Sequence, residues 1–484
     1  MLMALCFSAC VITALAAPEA TLRIGIEAGV PTVKIHLPAG GEQFDEKNRR
    51  VKTFRSGESF SWSTSQEVQP AQKKGRSASR RKPASSSLAG RRMRFKAKRG
   101  ALSLNGRAYQ GVLEVSFGKS GAAIVNLVGV EDYVKGVVGS EIGSLSPEES
   151  LKAQAVIART YAIANRGKHK KDGYDLCDRE HCQVYGGVKA ERASVTKAVD
   201  ATRGIIMISD GVPISTMYHA TCGGMTSDNE KVYGGAPTKY LRRVRCDYCK
   251  AGTKYRWQQH IDLAKLRTAL AAEGLGFNRL YAIEVISPAP LDRVDQVKLR
   301  TDRGELRVKG TTFRRLFNLP STTFVTPSMR ATVPPSPAVP QRTAGLGRTP
   351  VFPSGSRDSA KTALPVEAVS LFAGGKQSGP PQLIVQTAHG ICRAKRPSSG
   401  WIVASGRRQA LDTSLRRGLP LKADTRELTG IDLSGRGYGH QVGLCQSGAI
   451  ELGRRGWSYR QILALYYSHV ALRQLRYDAV PRRT

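Results

Sequence analysis

Two kinds of residue in this chain are placed where they could do chemistry. The first is a carboxylate. Glu141 lies in the stretch Val130–Ala162, VEDYVKGVVGSEIGSLSPEESLKAQAVIARTYA, behind the apolar run Val134–Val138 and the small residues Gly139 and Ser140. An acid held against apolar side chains is desolvated, and desolvation favours its neutral, proton-donating form. Glu141 is therefore the candidate general acid, set against a solvated loop residue. The second kind is sulfur. With Cys6 and Cys10 of the apolar N-terminus set aside, Cys177, Cys182, Cys222, Cys246, Cys249, Cys392 and Cys445 remain. Cys177 and Cys182 sit beside His181 and follow His169, Cys222 opens a CGG turn, and Cys246 and Cys249 form a CxxC pair. Such spacing suits zinc by ligand type. In an exported chain it equally suits disulfides, although an odd count leaves a thiol over. The candidate ligands are His169, Cys177, His181, Cys182, Cys222, Cys246 and Cys249.

A third candidate is the glycine-rich stretch Ile431–Gly448, IDLSGRGYGHQVGLCQSG. Dense glycine lets backbone approach a ligand. Tyr438 offers a stacking face for a sugar, and His440 and Gln446 offer hydrogen bonds. A structural turn around a buried histidine is the competing reading. Gln154 and Arg159, on the helix expected after Glu141, are further candidates for a binding groove, against packing roles.

The elements that must position these residues are legible in outline. Ser146-Pro147-Glu148-Glu149 reads as a helix start, with Ser146 as cap, Pro147 at the first helical position and Glu149 closing a capping box. Leu151, Ala155, Ile157, Ala158, Tyr161 and Ala162 then recur near helical spacing, so a buried helix is expected, with Glu141 in the loop before it. Residues 20–37 alternate as a β-hairpin would, and 109–128 as two strands turning near Gly118–Gly121. Helices are expected at 191–202, 262–273 and 458–467, and strands at 204–208, 211–214, 281–286, 297–300 and 304–308.

The expected class is α+β, mixed strands and helices in one catalytic domain with disordered basic and Pro/Gly-rich insertions. Residues 1–17 read as a signal peptide, with Cys10 also placed as for a lipid anchor. Residues 18–46 read as N-terminal strands and 47–108 as a basic low-complexity insertion. The first part of the domain is 109–325, a Pro/Gly-rich linker with a small inserted β-unit is 326–425, and the C-terminal part is 426–475. The chain has 484 residues and a formal net charge of +37. That charge draws it to polyanions without choosing among them. The basic runs KNRRVK, KKGRSASRRKP and RRMRFKAKR contain a single aromatic, Phe95, so the stacking platforms of nucleic-acid binders are missing from them. An anionic wall or membrane surface is the expected partner of this segment. No run after the N-terminus is long and apolar enough to span a bilayer, and an exported, envelope location is expected.

Six stretches, taken together, resemble the stage II sporulation protein D (SpoIID/LytB) family: VNLVGVEDYVKGVVGSEI, SPEESLKAQAVIARTYA, CDREHCQVYGG, YHATCGGMTSDNEKVYGG, KGTTFRRLFNLPSTTF and GRGYGHQVGLCQSGAIELGRRGWSYRQILALYY. With the segments joining them they span about half of the chain, in the family's order. Segments 40–105 and 330–425 match nothing in it. The resemblance implies a mixed α/β domain that acts on bacterial peptidoglycan as a lytic transglycosylase, cutting peptide-stripped glycan strands and often working with a cell-wall amidase. It puts the family's catalytic glutamate at Glu141, although Ile142-Gly143 stands where the family has a hydrophobic residue then proline. It also implies a zinc held by histidine and cysteines near CQVY, structural because lytic chemistry needs no cofactor. The LytB branch implies the alternative of a non-catalytic amidase activator.

Overall fold

Alternating apolar residues build the N-terminal layer. In the computed structural model, which describes residues 20–64, 88–287, 293–326 and 428–475 and the backbone of 383–387, 390–394, 401–404 and 407–410, β1 (Thr21–Val30) turns Leu22, Ile24 and Ile26 inward. β2 (Thr32–Leu37) does the same with Val33, Ile35 and Leu37. The two do not pair as a hairpin. β1 enters a seven-stranded sheet and β2 a four-stranded one, and both inner faces fill one core. Each strand has one buried face, which two opposed sheets satisfy as well as a hairpin does. The other strands here are β3 (Gly41–Phe44), β4 (Arg50–Phe54), β5 (Glu58–Ser63), β6 (Arg92–Ala97), β7 (Leu102–Leu104), β8 (Arg107–Tyr109), β9 (Val112–Gly118), β10 (Gly121–Gly129) and β11 (Leu176–Cys177). The sheets run β11-β1-β10-β9-β6-β3-β4 and β5-β2-β7-β8.

The basic segment is thus not low-complexity over its described residues. β4 and β6 are ladder members, with Phe54 and Phe95 buried and Arg50, Lys52, Arg92 and Lys96 exposed. Phe95 and Ala97 alternate with the cations, a period-two pattern masked by charge. Residues 65–87 lie outside the described part, as do the N-terminal leader and most of 326–425. In the last, backbone hairpins β20–β21 (Leu383–Thr387 with Gly390–Ala394) and β22–β23 (Trp401–Ala404 with Arg407–Ala410) agree with a small β-unit.

The centre of the molecule is a pair of helices, α1 (Val130–Glu141) and α2 (Glu148–Ala164). α2 is apolar on two faces. Leu151, Ala155, Ala158 and Ala162 join the sandwich core. Ala153, Val156 and Ile157 join a second core with Leu444, Leu452, Ile462, Leu463 and Tyr466. The expected capping box is absent. Pro147 is the N-cap, Ser146 Oγ donates to the Ile142 carbonyl at 2.9 Å, and Glu149 accepts from the Tyr459 backbone N–H at 2.6 Å. That N–H is an orphan donor in the first turn of α8, below, so Glu149 serves another helix. α3 (Ala193–Ala201) packs on α1 and α2.

β12 (Ile205–Ser209), β13 (Val212–Pro213) and β14 (Tyr218–His219) follow, then a short α4 (Asn229–Tyr233). β15 (Arg256–Asp262), α5 (Leu263–Ala271), β16 (Leu280–Ile286), β17 (Gln296–Thr301), β18 (Gly304–Lys309), α6 (Gly310–Phe317) and β19 (Phe324–Val325) bury a third core. β24 (Gly430–Arg436) pairs with β15 and β19. β25 (Leu444–Cys445) runs parallel to β14, α7 (Gln446–Arg454) and α8 (Tyr459–Tyr466) cover the second core, and β26 (Ala471–Gln474) pairs with β12. The fold is α+β. Among the described residues no helix is long and apolar enough to cross a membrane.

Candidate active site and two thiol clusters

Glu141 is not in a loop. It is the last residue of α1. Gly136 and Gly139 explain how it is held: a Cβ at Gly136 would strike the Tyr185 ring, and one at Gly139 the backbone of Ala190. The helix therefore lies directly on the 183–190 segment. From that segment the Val184 N–H donates to Glu141 Oε1 at 2.8 Å. The Tyr218 hydroxyl hydrogen-bonds the same carboxyl. Gln183 Nε2 donates to the Tyr218 hydroxyl at 3.3 Å, which leaves the Tyr218 proton for Glu141, and Gln183 Oε1 accepts from Tyr133 at 3.3 Å. Burial holds both tyrosines well above their ordinary pKa, so they remain donors. Gln446 Nε2 reaches the Glu141 carbonyl at 3.3 Å.

Burial raises the pKa of Glu141 above the ordinary carboxylate value; Val184 and Tyr218 oppose the rise, and the negative charge of exposed Glu180 adds to it. The C-terminal end of a helix disfavours a carboxylate as well. A half-buried carboxyl with fixed orientation and a pKa raised above the ordinary carboxylate value holds its proton to higher pH than a solvated glutamate, as a proton donor needs.

The glycine-rich stretch joins this network through Tyr218, whose backbone accepts from the His440 ring. Burial pushes His440 down to about 4 and its neighbour His219 down to about 3, so both rings are neutral. His440 packs against His219 and Tyr233. Tyr438 is 47% exposed, with the Lys254 ammonium 4.7 Å from its ring centre.

Two groove candidates are corrected. Arg159 is fully buried and bonds Glu131 through Nε (2.9 Å) and Nη2 (2.6 Å), with Nη1 on the Ile205 carbonyl. Its charge is consumed inside the protein. Gln154 is also fully buried, so neither residue faces an open groove. Tyr218, Gln183 and Tyr133 were not singled out in the sequence, although all three fall in stretches quoted for the resemblance.

The sulfur atoms fall into two separate groups. In one, the ligand atoms of His169, Cys177, His181 and Cys182 all lie within 4.8 Å of one another. His169 Nε2 is 3.2 Å from His181 Nδ1 and 3.4 Å from Cys182 Sγ, while its Nδ1 meets Asp172 at 2.9 Å. Two ring nitrogens and two sulfurs around one point, with a carboxylate behind one imidazole, fit a tetrahedral zinc site. In the other, Cys222, Cys246 and Cys249 converge with Cys445, which sequence reading left out of the candidate ligands because no second cysteine lies near it in the chain. All six of these thiols are free.

The model of the stage II sporulation protein (SpoIID) family matches residues 118–208, which hold Glu141 and the first thiol cluster. An uncharacterized protein of Brachyspira hyodysenteriae is 40% identical over 169 residues, 35% of this chain and 45% of that protein. Stage II sporulation protein D of Bacillus amyloliquefaciens is 28% identical over 215 residues, 41% of this chain and 60% of the relative. The amidase enhancer of Bacillus subtilis is 34% identical over 103 residues, 21% of this chain and 14% of the relative. The chain spans about half the length of the first two relatives. It carries a SpoIID/LytB-family domain.

Proposed function

We propose that this domain is a peptidoglycan lytic transglycosylase that cleaves peptide-stripped glycan strands in the cell envelope, with Glu141 as acid and then base. The observation that carries this is the Glu141 carboxyl itself: half-buried at a helix end, raised in pKa, and held by the Val184 N–H and the Tyr218 hydroxyl. In the first step Glu141 protonates the leaving glycosidic oxygen as the C1–O bond breaks. In the second, the Glu141 carboxylate takes the proton of the sugar's C6 hydroxyl as that oxygen bonds C1. A 1,6-anhydro ring closes, no water is consumed, and Glu141 ends as it began. Tyr218 and Val184 keep the carboxyl oriented through both transfers. Tyr438 supplies a stacking face to the sugar and Gln446 a neutral hydrogen-bonding group, while the His440 ring, which donates to the Tyr218 carbonyl and accepts from the Val442 N–H, positions Tyr218. His169, Cys177, His181 and Cys182 would hold a structural zinc, which fixes the segment bearing Gln183 and Val184 and takes no part in the proton transfers.

Glu180 gives hydrolysis a specific claim, because a second carboxylate near the acid is what a hydrolase needs. The experiment is mass spectrometry of products from purified denuded glycan with wild type, Glu141→Gln and Glu180→Gln. Lytic chemistry gives 1,6-anhydro ends, at least about 100-fold loss in Glu141→Gln, and retained cleavage in Glu180→Gln. Reducing ends, with loss in both variants, would establish a hydrolase instead. The similarity to an amidase enhancer supports a second reading, a wall-binding activator of a cell-wall amidase. That reading requires Glu141→Gln to stimulate an amidase as well as wild type does.

A further inference from the structure

We infer that Cys222, Cys246, Cys249 and Cys445 form a second, closed metal site for one zinc ion, separate from the His169 cluster. The four sulfurs come from three distant segments: the turn after β14, the 246–249 knuckle, and the residue that caps α7. All four are buried, and all four Sγ atoms lie within 4.8 Å of one another, Cys222 and Cys249 at 3.4 Å. Four thiolates on a tetrahedral zinc with Zn–S of about 2.3 Å stand about 3.8 Å apart, so the group has the size of a mononuclear site. A four-iron cluster puts each thiolate on a different iron and spreads the sulfurs wider. A disulfide joins sulfurs in twos and gives no reason for four to converge.

The surroundings are those of bound thiolates. The backbone N–H groups of Cys222 and Gly448 point at Cys445 Sγ at 3.3 and 3.4 Å, and the Tyr466 hydroxyl lies 3.2 Å from Cys246 Sγ. Donors aimed at sulfur are the outer partners that orient metal ligands. Gly448 fits the same purpose, since a Cβ there would press on Cys246 Sγ at 2.7 Å. Four protein ligands leave no open position, so the ion is structural. It fastens Cys445, and with it Gln446 and the β14–β25 pairing that carries Tyr218, to the 246–249 knuckle. One wall of the Glu141 site is therefore set by this ion, a consequence that rests on the proposed active site; the metal site itself does not.

The test uses the full chain purified without chelator. Elemental analysis should show that Cys445→Ser lowers zinc by one equivalent per chain, whatever the His169 cluster holds, and that His169→Ala/Cys182→Ser keeps this equivalent. Wild-type protein needs no folded variant: iodoacetamide labelling mapped by mass spectrometry should find Cys222, Cys246, Cys249 and Cys445 unreactive, then reactive together once a chelator has removed the zinc. Disulfide-linked peptides among the four, or chelator-independent labelling with no zinc lost in Cys445→Ser, would overturn the site. Neither readout depends on glycan cleavage, so failure here is distinct from failure of the catalytic reading, which Glu141→Gln with its zinc intact reports.

Discussion

Glu141 links pH to stability and, on the proposed mechanism, to turnover. Its folded pKa is raised above the ordinary 4.5, so its protonation favours the folded state below that value. That contribution is lost as pH rises through the folded pKa. Glu141→Gln cannot ionise and can still accept from Val184. Its thermal midpoint should match or exceed that of wild type at pH 8, and the difference should vanish toward pH 4. Cleavage by wild type should fall as pH rises through the same raised pKa, because the proton donor is lost. Arg159 behaves differently. Arg159→Met strands the buried Glu131 carboxylate and should cost about 3–5 kcal/mol of stability, read by denaturant unfolding. The contrast shows what was legible at this scale. Glu141 stands out through its own neighbours in the chain. Arg159 was misread because the carboxylate it serves lies 28 residues back, and Gln183 was not singled out because its partner Tyr218 lies 35 ahead. Cys445 meets Cys222 across 223 residues, a pairing with no local trace.

At the scale of elements, periodicity served where one face was buried and charge did not mask it. The β9–β10 turn, α3, α5 ending before Gly274, β16 to β18 and α8 with its Ser458 capping box all lie near where the pattern puts them. The start of α2 was misjudged because Glu149 caps α8, a choice made by tertiary packing. The N-terminal strands were misassigned because alternation reports a buried face without naming the partner that covers it. β4 and β6 were lost among cations. Their exposed cations are now specific targets. Converting Arg50, Lys52, Lys96, Lys98 and Arg99 to Gln should leave the melting temperature nearly unchanged, since these side chains are exposed. It should weaken binding to anionic wall polymer or anionic vesicles several-fold at low salt and flatten its salt dependence, as a sedimentation assay across salt concentrations would show.

For the whole molecule, β19 and β24 are far apart in the chain and yet neighbours in one ladder. From Leu428 to Ser434 is six residues of near-extended chain, roughly 20 Å, a distance that a Gly/Ser linker of about 14 residues covers. Replacing 327–427 by such a linker should give a folded chain with nearly the thermal midpoint of the full chain; loss of the fold would show that the excised segment is part of the core. α2 leads to a different expectation. It is enclosed on one side by the sandwich core and on the other by the helices and thiol cluster of the second core, and its residues from Ala153 to Thr160 are fully buried. Neither core can open without stripping that helix, so the two should share one exchange-competent state. In deuterium exchange the amides of Ala153–Thr160 should be the last to take up label. They should do so at the rate of the sandwich strands β1 and β10 and of α7 alike, which makes this helix the clock of the domain's global opening.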